Sequence, residues 1–71
     1  MDIARTRSFR FDDEKRAYRA ASAIRDLNDS AVWELRVVSD DGGALLVVPD
    51  ELWTRRPEVA EIVATHGGRR A

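Results

Sequence analysis

The most regular pattern of apolar and polar positions lies in residues 32–49, VWELRVVSDDGGALLVVP. Its first arm alternates with a period of two, which predicts a strand with one face buried and the other partly exposed. The inward positions of this arm would be Trp33, Leu35 and Val37. The second arm, residues 45–48, is apolar throughout, which favours a strand covered on both faces or one whose second face contacts a partner. Between the arms, Gly42 and Gly43 allow the positive φ of a tight or bulged turn, so the segment predicts a β-hairpin.

Two further patterns precede the hairpin. Residues 3–11 alternate and predict a strand, with Phe9 and Phe11 among the positions expected to face the core. Asp12 or Asp13 then caps a helix, because an aspartate side chain accepts hydrogen bonds from the free amides of a first turn. The apolar stripe of this helix repeats at three- and four-residue spacing and consists of Ala17, Ala20, Ala21, Ile24 and Leu27. Asn28 tolerates the left-handed conformation that commonly ends a helix.

The C-terminal third predicts helical structure after the hairpin. A short helical segment is expected over Glu51 to Arg55, and a second helix is expected to begin near Pro57, because proline suits a first helical turn. Gly67 and Gly68 would end that helix. Residues 69–71 are expected to form a frayed tail.

These elements predict a single small α+β domain over residues 1–71, in the order β-α-β-β-α. The three-stranded sheet would carry two helices on one face, with the third strand between the first and the second, because a central position accounts for its apolar character. The order resembles a ferredoxin-like topology truncated by its last strand. The resemblance concerns topology alone and implies no function.

Since two helices cover only one face of such a sheet, the other face should be open. One apolar pair of the third strand would then be exposed, either Leu46 and Val48 or Leu45 and Val47. An exposed apolar patch on a small domain usually marks an interface. The interface candidates are Arg10, Val32, Arg36, Val38, Leu46 and Val48.

Chain length and composition point to association. A domain of 71 residues buries only about 60% of the surface that its unfolded chain exposes. The absence of cysteine excludes disulfide bonds and thiolate metal sites. We therefore expect a homodimer or a protein partner, and a small non-enzymatic interaction or regulatory module. No apolar run is long enough to span a membrane, and no secretory signal is evident, so a cytoplasmic location is expected.

Candidate catalytic and ligand-binding chemistry is sparse. His66 is the only histidine, and nothing in the sequence places metal ligands beside it, so a helix C-terminal role is favoured. No nucleophile motif, phosphate loop, dinucleotide fingerprint or zinc spacing occurs. Trp33 and Trp53 could stack on a ligand, although tryptophans among apolar residues in so small a domain more often form its core. The sequence therefore predicts no enzyme activity, no cofactor and no metal.

The N-terminal region supports an alternative. Residues 7–14, RSFRFDDE, followed by an alanine-rich helix resemble the opening of ribbon-helix-helix DNA-binding proteins, in which paired strands of a dimer enter the major groove. The resemblance covers roughly the first 27 residues and implies a DNA-binding regulator. Its DNA contacts would be Arg5, Thr6, Arg7, Ser8 and Arg10. The chain departs from that family downstream, where Val32 to Val38 is β-rich instead of helical.

Overall fold

The computed structural model describes residues 5–71, which form a four-stranded antiparallel sheet, three α-helices and one 3₁₀ helix. The strands are β1 (Thr6–Phe11), β2 (Arg36–Asp40), β3 (Gly43–Pro49) and β4 (Arg69–Arg70). The α-helices are α1 (Glu14–Arg25), α2 (Asp50–Arg55) and α3 (Glu58–Thr65), and the 3₁₀ helix is Ser30–Glu34. The strand order is β2-β3-β1-β4. The predicted α+β class is confirmed.

The predicted number of strands is wrong, because the expected C-terminal tail forms β4. Arg70 and Arg69 pair with Phe9 and Arg10 of β1, and the amide of Ala71 donates to the Ser8 carbonyl at 3.0 Å. The sheet therefore contains the last strand that the truncated topology omits. Two consecutive arginines have no alternating apolar pattern that would predict a strand. They form one because the edge of β1 offers them backbone hydrogen-bond partners.

The central position of β3 agrees with the prediction. It pairs with β2 on one side and with β1 on the other, and both pairings are antiparallel. Asp40 pairs with Gly43 across a two-residue turn, in which Gly42 has a φ of 76°. This φ lies in the left-handed region, which glycine enters without a steric penalty.

The prediction that the first hairpin arm begins at Val32 is wrong. Residues Ser30–Glu34 form the 3₁₀ helix, and β2 starts only at Arg36. The side chain of Asp29 caps this helix by accepting from the Ala31 amide at 3.0 Å. As a result Leu35 is buried, whereas Trp33 is 88% exposed instead of pointing inward.

Helix α1 begins as the sequence predicts but ends at Arg25, so Leu27 of the predicted stripe lies beyond it. The Asp13 side chain accepts from the Lys15 amide at 2.8 Å and caps its first turn. Four apolar side chains of its stripe are fully buried: Ala17, Ala20, Ala21 and Ile24. Asn28 has a φ of 55°, the left-handed conformation expected after the helix. The start of the predicted first strand, residues 3–4, lies outside the described residues.

The core lies between the helices and one face of the sheet. Its fully buried larger side chains are Phe11, Ile24, Leu46, Leu52, Val48 and Val59. Trp53 of α2 stacks on Phe9 with ring centroids 5.0 Å apart, and the Arg7 guanidinium lies 5.3 Å from the Trp53 ring. Leu52 and Trp53 pack on this face of the sheet, and therefore neither residue covers the opposite face. Within residues 5–71, no helix combines the length and apolar character needed to cross a membrane.

Candidate functional site: the open sheet face

The strand register assigns each side chain to one of the two sheet faces, since residues directly opposite each other project to the same side. Phe9 lies opposite Leu46, and both are buried beneath the helices. The alternate positions lie on the other side, which we call the open sheet face. Its members on β1, β2 and β3 are Thr6, Ser8, Arg10, Arg36, Val38, Asp40, Gly43, Leu45, Val47 and Pro49.

The centre of the open sheet face is apolar. Val38 is 49% exposed and lies directly opposite Leu45. Leu45 and Val47 are partly exposed and follow each other on the same face of β3. Of the two apolar pairs that the sequence left open, this pair faces outward. Leu46 and Val48 are fully buried, so the prediction that they belong to an exposed interface is wrong.

Trp33 extends this apolar surface at one end. Together with Thr6, Glu34, Arg36 and Val47 it lines a depression of about 330 Å³ beside the sheet. On its other side Trp33 borders a second depression of about 420 Å³, whose further lining residues are Arg25, Asn28, Asp29, Ser30 and Val32. Trp33 is therefore a ridge between two grooves. Val32, another interface candidate, lies in the 3₁₀ helix and is partly buried against the core.

Most of the charge on the open sheet face is neutralised. Arg10 donates to the Asp40 carboxylate at 2.5 Å and to the Asp41 carbonyl at 3.4 Å. The hydrogen bond from Arg10, together with the Asp41 amide, lowers the pKa of the Asp40 carboxyl below its usual value. Arg36 has no carboxylate within 4 Å among the residues that the structure describes. The face therefore combines an apolar centre with a nearly balanced polar rim.

The structure does not bring the five predicted DNA contacts together. Thr6, Ser8 and Arg10 lie on the open sheet face, but Arg7 lies on the covered face, where its Nε donates to Asp50 at 2.7 Å. Arg5 lines a separate depression with Glu34, Pro49, Asp50 and Glu51. Strand β1 is flanked by β3 and β4, so an intermolecular β1 ribbon would require β4 to leave.

Asp29 is the most enclosed charged residue of the described chain, with 6% of its surface exposed. Arg55 donates through two nitrogens to its two oxygens, and Arg56 Nε donates to Oδ2 at 3.1 Å. These contacts join the start of the 3₁₀ helix to α2. Consecutive arginines in a sequence can suggest a site for a bound anion. Here Arg55 and Arg56 both bind the carboxylate of Asp29, and they form a structural clamp.

The Asp29 clamp has an electrostatic signature. Hydrogen bonds from Arg55, and next from the Ala31 amide, hold the pKa of the Asp29 carboxyl well below its ordinary value of 3.8. The same contact with Asp29, supported by Glu51, raises the pKa of the Arg55 guanidinium. A carboxyl whose pKa is lowered by folding stabilises the folded state above its ordinary pKa, and that contribution disappears as the pH falls through the folded-state pKa.

We expect Asp29→Asn to lower the urea midpoint at pH 7, because the amide loses the charge that both arginines contact. The difference from the parent chain should narrow as the pH falls from 4 to 2, since the Asp29 carboxylate of the unfolded parent then binds a proton that the folded carboxylate, with its lowered pKa, does not. Urea titrations followed by circular dichroism at pH 7, 4 and 2 measure this trend. Asp26→Asn is the matched control, because Asp26 is exposed and its side chain accepts no hydrogen bond within residues 5–71. If the difference in urea midpoint between Asp29→Asn and the parent chain did not change with pH, the clamp would be contradicted.

His66 lies at the C-terminal end of α3, as the sequence favours. Its Nδ1 is 2.8 Å from the Ile62 carbonyl oxygen. Across the described part of the chain, no three His, Asp or Glu side chains are grouped so that they could hold a metal ion.

No protein-family model, curated protein or solved structure matches this chain. Its functional interpretation therefore depends on the geometry of its own surfaces. The open sheet face and Trp33 together are the most distinctive of these surfaces.

Proposed function

We propose that this protein is a non-enzymatic protein-interaction module whose open sheet face packs against the same face of a second copy. The observation that carries the proposal is the continuity of Val38, Leu45 and Val47 with Trp33, which is 88% exposed. Exposed apolar patches rimmed by polar residues are typical of interaction sites. Tryptophan is also enriched among the few residues that supply most of an interface's binding energy.

The polar rim supports a second copy as the partner. In a twofold-symmetric dimer the same patch contributes from both sides and must be complementary to itself. Arg10 and Asp40 already form a neutral pair, while Glu34 and Arg36 place one acid and one base beside Trp33. Two such patches can meet without an excess of like charge. A strongly basic face, as nucleic-acid binding favours, would not have this property.

The proposal predicts the mass of the protein in solution. Light scattering at micromolar concentration should give twice the 8.0 kDa chain mass. Val38→Glu and Trp33→Ala should each shift the protein toward the monomer and raise the dissociation constant at least tenfold, because each removes apolar contact from the centre of the interface. Leu46→Glu is not a suitable test, since it would place a carboxylate in the core.

Tyr18→Ala provides the matched control, because Tyr18 is a 48% exposed aromatic residue on α1, away from the open sheet face. It should leave the dimer intact. Circular dichroism should show that all three variants remain folded. A monomeric parent chain at 100 micromolar would refute self-association. A dimer that survives both Val38→Glu and Trp33→Ala would instead place the contact elsewhere, for example at the free edge of β2, where strand addition could occur.

A further inference from the structure

A further depression, which is polar, lies on the helical side of the molecule, away from the open sheet face. It has a volume of about 270 Å³ and is lined by Arg16 and Arg19 of α1 and by Thr65 and His66 at the end of α3. We call it the α1–α3 crevice. Arg16, Arg19 and Thr65 can donate hydrogen bonds into it, and none of the four side chains carries a negative charge.

The two arginines of the crevice are among those that form no ion pair within residues 5–71. Five arginines each contact a carboxylate: Arg7, Arg10, Arg55, Arg56 and Arg69. Arg16 and Arg19 have no acidic partner within 4 Å among residues 5–71. They are three positions apart on one helix and therefore project from neighbouring points of its surface. Their uncompensated charges favour an anionic ligand.

The end of α3 contributes the other wall of the crevice. A carbonyl oxygen only accepts, so His66 Nδ1 is the donor in its 2.8 Å contact with Ile62, and Nε2 of the neutral ring can accept a hydrogen bond from a protonated phosphate oxygen. A Cβ atom on Gly67 would lie 3.3 Å from Arg16 Nη1, so the guanidinium sits directly against this turn.

We propose that the α1–α3 crevice binds an oxyanion of the phosphate class. Guanidinium groups present planar sets of donors that match the oxygens of phosphate, and a threonine hydroxyl adds a short-range donor. The crevice is small and polar, which suits a phosphate group better than a large apolar ligand. This site is independent of self-association, because none of its four residues belongs to the open sheet face.

Titration of the isotopically labelled protein with inorganic phosphate, followed by NMR, tests the site. Ionic strength is held constant with sodium chloride, so that general screening does not change. We expect saturable shifts in the amides of Thr65 and His66 and of the α1 turn that holds Arg16. Arg16→Gln and Arg19→Gln should each weaken binding roughly tenfold, as expected for loss of a charge-assisted hydrogen bond.

Arg25→Gln is the matched control, since it removes the same charge from the same helix at a position that lines a different depression. It should change phosphate affinity by less than about twofold, because the charge that it removes is distant from the crevice and its attraction for phosphate is screened by salt. Parallel titrations with phosphoserine and with phosphate would show whether the crevice prefers a phosphomonoester or the free ion, and saturation by either supports the site. Non-saturating shifts, equal weakening by Arg25→Gln, or equally tight binding of acetate would overturn the assignment.

Discussion

Phe11→Ala should remove a large part of the stability of this protein. Phe11 is completely buried at the end of β1, opposite Ala44, where its ring fills the space between the sheet and the end of α3. Its fit is tight, since a Cβ atom on Gly68 would come within 2.6 Å of both the Phe11 ring and Val63. Truncating a buried phenylalanine to alanine typically costs about 3–5 kcal/mol, because it removes apolar contact and leaves a cavity.

That cost is large relative to the total free energy of unfolding of so small a domain. A chain of 71 residues is expected to have a free energy of unfolding of roughly 4–10 kcal/mol. Urea denaturation followed by circular dichroism, at one fixed protein concentration, measures the loss. Tyr18→Ala removes an aromatic side chain that is 48% exposed and should cost less than about 1 kcal/mol. Similar losses for the two variants would show that Phe11 is not the central core residue that its burial indicates.

Gly43→Ala should produce the second large effect, for a steric reason. A Cβ atom at this position would lie 2.3 Å from the backbone oxygen of Phe11 and 3.4 Å from its carbonyl carbon. A backbone carbonyl in a paired strand cannot rotate away as a side chain can, so β1 and β3 would have to separate. We expect a loss of about 3 kcal/mol, at the upper end of the usual cost of overpacking.

Gly42→Ala is the matched comparison one residue earlier. No atom lies within 4 Å of a Cβ placed there, but its φ of 76° disfavours alanine. The conformational penalty alone should cost about 1 kcal/mol. Urea titrations of the two variants separate steric from conformational cost, and a greater loss for Gly42→Ala would contradict the close contact between β1 and Gly43.

The physical features that the sequence determined are local ones. The Asp13 cap, the alanine stripe of α1 and the left-handed Asn28 all depend on residues within one or two helical turns of each other. The tight turn at Gly42 likewise depends on one glycine between two strand-forming segments. Such signals are visible in a sequence, because helix and strand periodicities repeat over a few residues.

Features decided by tertiary structure involve partners far apart in the chain. The 3₁₀ helix that turns Trp33 outward is tied through Asp29 to Arg55 and Arg56, 26 and 27 residues further on. Without that long-range clamp, the alternation around Trp33 is indistinguishable from that of a half-buried strand. Hydrogen bonds from charged donors stabilise a buried carboxylate more than neutral ones do, and the fold provides such donors by placing these arginines beside Asp29.

Tertiary structure also determines which pair of β3 side chains is exposed. All four residues from Leu45 to Val48 are apolar, so their sequence does not specify which two face the helices. Pairing with β1 resolves the choice, because Leu46 lies opposite Phe9 and Val48 opposite Arg7 on the covered face. β4 likewise exists because the free edge of β1 offers backbone partners to Arg69 and Arg70. Registers and edge pairings depend on the neighbouring strand, and a strand's own residues therefore cannot determine them.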